Sequence, residues 1–130
     1  MKPPERFLDD AERAERAGDL AAAAVALRGH LERHPDDRRS RLRFARLLAA
    51  SGEQAAARAA LTPLETLDPD DPVAREATRR LAELDEAEGA LLSAAGRWER
   101  VLADDIDDAQ AQAHLARLRP EAPGPLPDPL

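Results

Sequence analysis

Three stretches of equal length decide the fold: GDLAAAAVALRGHLERHPDD at 18–37, GEQAAARAALTPLETLDPDD at 52–71 and GALLSAAGRWERVLADDIDD at 89–108. Each opens on a glycine and closes on paired aspartates. From the first to the second the offset is 34 residues, which superposes Gly18 on Gly52, Ala23 on Ala57, Leu27 on Leu61, Pro35 on Pro69, and Asp36-Asp37 on Asp70-Asp71. From the second to the third it is 37, which brings Gly89 onto Gly52, Ala94 onto Ala57 and Trp98 onto Leu61, with Ile106 in place of a third proline. A fixed period of this size marks a chain of stacked supersecondary units, none of which can bury its apolar face alone.

The composition agrees with helices as the building blocks. The 130 residues are 43% hydrophobic but only 2% aromatic, and alanine (29) and leucine (19) outnumber valine plus isoleucine (4) by far. Strands draw on β-branched and aromatic side chains, whereas Ala, Leu, Arg and Glu favour helices. The spacing of apolar residues and breakers predicts helices over about 5–17, 19–33, 37–51, 53–67, 71–88, 90–104 and 107–118. Gly18, Gly52 and Gly89 fall at the turn within each pair, where a positive φ is expected. Pro35 and Pro69 stop helices, Asp37, Asp71 and Asp108 are placed to cap the next ones, and Pro72 suits a first helical position. Pro63 lies inside the fourth helix and is expected to free the carbonyl of Ala59, kinking or splitting the helix. Residues 120–130, with five prolines and a glycine, read as an extended tail.

Each unit resembles a tetratricopeptide repeat (TPR). Ala11, Ala23, Ala45, Ala57 and Ala94 stand at the small-residue positions of that pattern, Phe7, Leu27, Phe44, Leu48, Leu61 and Trp98 at the large ones, and Pro35 and Pro69 at the late proline. Departures are Arg41 where an aromatic residue is frequent, Ile106 for the third proline, and three extra residues between Pro69 and Gly89. The resemblance implies an all-α solenoid over residues 1–119, with TPR-like repeats at about 4–37, 38–71 and 72–108, then a capping helix at 107–118. That last helix is expected to turn Ala109, Ala113, Leu115, Ala116 and Leu118 inward and Gln110, Gln112, Arg117 and Arg119 toward water.

Chemistry is sparse along the chain. Without cysteine there is no disulfide, thiol nucleophile or thiolate metal site. The first twenty residues carry six acidic side chains and no apolar run, so no signal peptide or membrane span is expected, and the chain reads as cytoplasmic. A net charge of −7 opposes general nucleic-acid binding. His30 and His34 have the i, i+4 spacing of metal ligands but lack the surrounding zinc-site pattern; a helix-contact role for His30 and a helix-end role for His34 are the plainer reading. Asp104, Asp105, Asp107 and Asp108 lack the alternation, glycine and closing glutamate of a calcium loop. Ser40, Ser51 and Ser93 sit in no nucleophile motif. An enzyme is not expected, nor a cofactor.

What remains is a surface. The resemblance implies that first helices of the pairs line a concave groove that holds partner segments: Arg39, Leu42, Arg43, Arg46 and Ala50 in the second unit, Glu5, Leu8, Asp9, Glu12 and Arg16 in the first. Helical geometry independently places Arg39, Arg43 and Arg46 on one face, where arginines suit an acidic segment or a C-terminal carboxylate. The competing reading pairs them internally with Asp9 and Glu12. Lys2 is the only lysine and asparagine is absent, so the family's chaperone-binding carboxylate clamp is not expected. The reading is a non-catalytic protein-interaction module, adaptor or subunit of a larger assembly. Structural self-association is the alternative, and metal or small-ligand binding at His30 and His34 the third.

Overall fold

The structure, a computed structural model, describes residues 4–118; the expected Pro-rich tail lies outside them. The described residues form seven helices: α1 (Pro4–Arg16), α2 (Leu20–Arg33), α3 (Arg38–Ala50), α4 (Gln54–Glu65), α5 (Pro72–Ala87), α6 (Leu91–Asp104) and α7 (Ala109–Leu118). No strand occurs among them, and the fold class is the expected all-α repeat architecture.

The same punctuation is used three times inside the helix pairs. Gly18, Gly52 and Gly89 have φ of 77°, 82° and 79°, a region open to glycine without the Cβ penalty. After each glycine the chain closes a Schellman motif. The amide of Asp19 donates to the carbonyl of Ala14, that of Glu53 to Leu48 and that of Ala90 to Asp85; the glycine amides themselves donate to Glu15, Ala49 and Glu86. Carbonyls orphaned at the helix ends are thus satisfied by the turn itself.

Between pairs the punctuation is equally regular. Asp37 Oδ1 accepts from the Ser40 amide, Asp71 Oδ1 from Val73 and Asp108 Oδ1 from Ala111, so the three aspartates cap the helices they precede. The side chain at a fixed place in each following helix folds back on the turn: Arg41 onto the Pro35 carbonyl, Arg75 onto Pro69 and Gln112 onto Ile106. Arg41 departs from the aromatic residue of the family pattern, and here its donors tie down the turn instead. Gln112 does the same for Ile106, so α7 is entered as α3 and α5 are. The three extra residues of the third unit appear as helix: α5 has 16 residues where α1 and α3 have 13.

Two expectations are corrected in part. Of the kink or split expected at Pro63, the split does not occur: α4 runs on to Glu65 as one helix. Proline sits within one turn of the helix end, and Ala59 and Thr62 are exposed. In α7 the inward face is different: Ala111 is buried, and His114, Leu115 and Leu118 are half-buried, whereas Ala109, Ala113 and Ala116 are exposed. The positions 111, 114, 115 and 118 form one helical stripe, rotated toward an acceptor on α5 described below.

The chain divides into two compact units, Met1–Leu81 and Ala82–Leu130, with the boundary inside α5. In the first unit α1 packs on α2, α2 on α3 and α3 on α4, over buried Ala11, Ala23, Leu27, Ala45, Leu48, Ala57 and Leu61. Small residues at the close approaches and leucines between them account for a core with few aromatics. In the second unit α6 packs on α7, and Ala82, Ala94, Trp98, Val101 and Ala111 form the core, flanked by Leu102, Leu115 and Leu118.

Candidate functional site

The candidate surface lies in the first unit, on α1 and α3. α3 carries five arginines in thirteen residues, and the fold sorts them. Arg38, at its first position, pairs with Asp71 of the cap preceding α5. Arg41 is turned to the Pro35 carbonyl at 3.2 Å. Arg43 reaches across to α1 and grips Glu15 with two parallel bonds, Nε to Oε1 at 3.0 Å and Nη2 to Oε2 at 2.6 Å, the bidentate geometry that suits a planar guanidinium. Arg39 and Arg46 are exposed and make no hydrogen bond or ion pair among the described residues, although Arg46 lies close enough for its charge to act on Glu15.

Leu8 and Leu42, one repeat apart, are both half-buried and supply apolar surface within the same charged face. Glu12 is exposed and held by Arg16 on its own helix at 2.9 Å. Hydrogen bonding to Glu15 raises the Arg43 guanidinium pKa against the opposing effect of burial, and the charges of Glu15 and Glu12 act in the same direction. The Arg43 hydrogen bonds hold the Glu15 carboxyl below its ordinary value, against the opposing effect of burial, and the charges of Arg43 and Arg46 act in the same direction.

Of the residues singled out in the sequence, Arg39, Leu42, Arg43 and Arg46 share one face of α3, and Leu8 and Glu12 belong to α1. The internal partner of the arginine stripe is Glu15, not Asp9 or Glu12. Glu15 lies outside the expected stripe of Glu5, Leu8, Asp9, Glu12 and Arg16, although it stands one residue before Arg16. The i, i+4, i+7 spacing of Leu8, Glu12 and Glu15 carried the signal.

Both histidine positions resolve as structural contacts. His30 is 5% exposed, and its Nε2 lies 2.7 Å from Asp37 Oδ2. A carboxylate only accepts, so Nε2 carries the proton. Nδ1 is buried without a partner among the described residues. Burial acts to raise the Asp37 carboxyl, but bonds from Ser40 and His30 outweigh it and hold it low. His34 lies at the end of α2, its ring centre 4.9 Å from that of His30. Among the described residues no three histidines, aspartates or glutamates are grouped to hold a metal.

A second polar cluster, invisible in the sequence, sits in the second unit. Glu86 Oε2 accepts from Trp98 Nε1 at 2.9 Å and stands 2.6 Å from His114 Nδ1, while Oε1 pairs with Arg117. His114 stacks on the Trp98 indole with ring centres 4.2 Å apart. Arg117 also lies 2.8 Å from His114 Nδ1. A guanidinium only donates and a carboxylate only accepts, so Nδ1 cannot serve both; the shorter approach to Glu86 puts the proton on Nδ1. Burial would raise the Glu86 carboxyl, but donors from Trp98, Arg117 and His114 overcome it and hold it low. This acceptor turns His114 and Arg117 of α7 toward α5.

Repeated helix pairs with shared caps define a helical-repeat scaffold. The tetratricopeptide repeat model matches residues 14–81, just over half of the 130 residues, and the chain belongs to the tetratricopeptide repeat family. Two solved structures have the same fold. One, described as the crystal structure of MamA protein, superposes with a TM-score of 0.78 at 19% identity over 91% of this chain and 63% of the other. A second MamA crystal structure gives 0.75 at 19% identity over 85% and 63%. This chain therefore spans somewhat less than two thirds of those chains, and at that identity the likeness concerns the fold. No curated protein gives a significant match.

Proposed function

We propose that the chain is a non-catalytic adaptor or accessory subunit that holds a segment of a protein partner on the face of α1 and α3, the groove side in the family's usual arrangement. Membership of the tetratricopeptide repeat family supports a protein-interaction module. The observation that carries the site is the pair of exposed arginines, Arg39 and Arg46, left over after Arg38, Arg41 and Arg43 are consumed inside the chain. No helix among the described residues is long and apolar enough to cross a membrane, and the proposed setting is the cytoplasm. The test is affinity purification from the native host with wild type and with Arg39→Glu/Arg46→Glu, whose folding is checked by melting temperature. Equal recovery of the same partner by both proteins removes this face as the binding site.

One observation favours a second reading. Leu91 and Leu92, at the start of α6, are 52% and 87% exposed, an adjacent apolar pair suited to self-association. Light scattering at high protein concentration decides it: a monomer in wild type ends that reading, and a dimer abolished by Leu92→Asp supports it.

A further inference from the structure

The binding face, read as proposed above, also specifies the shape of what it binds. We infer that its occupant is an amphipathic helix of a partner protein with carboxylates at positions i and i+7 and an apolar side chain at i+4 between them. The inference rests on the assignment of the α1–α3 face as the binding site and adds the chemistry and spacing of the partner.

The argument starts from which groups are available. Arg38, Arg41 and Arg43 already have acceptors within the chain. Recruiting any of them forfeits an existing bond, and for Arg43 it also strands Glu15, whose side chain is only 30% exposed. Arg39 and Arg46 are exposed and cost nothing of that kind. Seven residues of helix separate them, about 10 Å of axial rise, and both point the same way round the helix. Half-buried Leu42 lies between them on that face. The order along α3 is therefore cation, apolar, cation, at steps of about one helical turn.

A partner must offer the complementary order with the same repeat. In a helix, residues i, i+4 and i+7 share a face and span about 10 Å. In an extended polyproline conformation, i and i+3 share a side at about 9 Å, but no side chain stands between them on that side. A strand puts i and i+2 at about 7 Å and i and i+4 at about 13 Å, straddling the required distance. Only the helix places an apolar group over Leu42 while both carboxylates meet arginines. The net charge of −7 does not prevent this, because exposed charges beyond about 8 Å are largely screened at physiological salt. The local arginine pair decides.

The test uses synthetic peptides of equal length and charge: two of the same composition on an alanine-rich helical background, one with Glu at i and i+7 and Leu at i+4 and the other with the two glutamates adjacent, and a third, proline-rich and extended, with Glu at i and i+3. The expected result, measured by fluorescence anisotropy, is that the first binds about fivefold to tenfold more tightly than the others. Arg39→Ala and Arg46→Ala should each remove that preference, and Arg33→Ala, an equal loss of charge on α2, should leave it. Equal binding of all three peptides, or preference for the extended one, overturns the inference while leaving the face intact, provided Arg39→Glu/Arg46→Glu still loses the native partner. If no peptide binds although that partner is captured through the face, the inference also falls. If the partner is captured equally by the double variant, the assignment of the face falls with it.

Discussion

Arg43 of α3 and Glu15 of α1 are joined by two parallel hydrogen bonds of 3.0 and 2.6 Å across 28 residues of sequence, and this pair ties the first helices of successive repeats together. Their side chains are 32% and 30% exposed, so the pair is screened less than a surface contact and desolvated less than a core one. Its removal by Arg43→Ala is expected to cost about 1 kcal/mol, read as a lowered denaturant midpoint with an unchanged slope. Arg46→Ala, one turn further along, should change the midpoint much less.

The same pair sets a pH dependence. Arg43 hydrogen bonding holds the folded-state Glu15 carboxyl below its ordinary value of 4.5. A carboxyl whose pKa is depressed on folding contributes stability that is present above the unfolded value and lost as pH falls through the folded one. The stability difference between wild type and Arg43→Ala should therefore be constant near neutrality and shrink below about pH 4.5. A difference that stays constant into strong acid would contradict the assignment of Glu15 as the partner.

Two glycines inside helices should respond to alanine in opposite directions. At Gly29 of α2 an added Cβ would lie 2.5 Å from Phe7 Cε1 and 2.8 Å from Cδ1, so the ring must move. At Gly96 of α6 nothing lies within 4 Å. Alanine in a helix interior is worth about 1 kcal/mol over glycine, while overpacking costs about 1–3 kcal/mol. Gly96→Ala should raise the melting temperature and Gly29→Ala lower it, with Phe7→Leu relieving the loss in the double variant.

Much of this fold was legible in the sequence because repetition multiplies weak signals. One glycine with a following acidic residue is ambiguous, but Gly18, Gly52 and Gly89 in register fix three turns, and the aspartates 37, 71 and 108 fix three helix starts. Pro63 does not split α4 because its cost depends on how near the helix end lies, which a residue type does not reveal. The face of α7 misled because polarity alone left His114 without a role, whereas its ring turns to Glu86, 28 residues away in sequence; Arg117 is exposed as expected and reaches the same carboxylate from the solvent side. The arginine face was visible as a stripe. Its division into engaged and available members was not, since that depends on acceptors supplied by α1 and by turns.

Glu86 makes the docking of α7 readable by fluorescence. Trp98, the only tryptophan, is 0% exposed, donates to Glu86 and carries the His114 ring on its face. Glu86→Ala removes the acceptor shared by Trp98, His114 and Arg117, and should shift tryptophan emission to longer wavelength as α7 loosens. In wild type the same shift should begin on the acid side, as the depressed Glu86 carboxyl finally protonates. Glu86→Gln should blunt that acid-induced change, and an identical acid profile in the Gln variant would show that another group is responsible.

Asp85 and Arg97 offer the sharpest comparison, because the repeat frame supplies its own control. Asp85 is 2% exposed and pairs with Arg97 of α6. Shifted by 37 residues, Asp85 falls on Leu48 and Arg97 on Ala60, both buried apolar positions in the second unit of the repeat. The third unit thus places a buried ion pair where its predecessor uses hydrocarbon. Arg97→Ala removes the cation paired with a buried carboxylate, a change that typically costs about 3–5 kcal/mol. Replacing both residues by their repeat counterparts removes the desolvation penalty along with the attraction, an exchange that is often neutral or stabilising. Asp85→Leu/Arg97→Ala should therefore recover most of the stability lost in Arg97→Ala. A double variant as unstable as the single one would mean that Arg97 acts through packing of its stem rather than through the charge of Asp85.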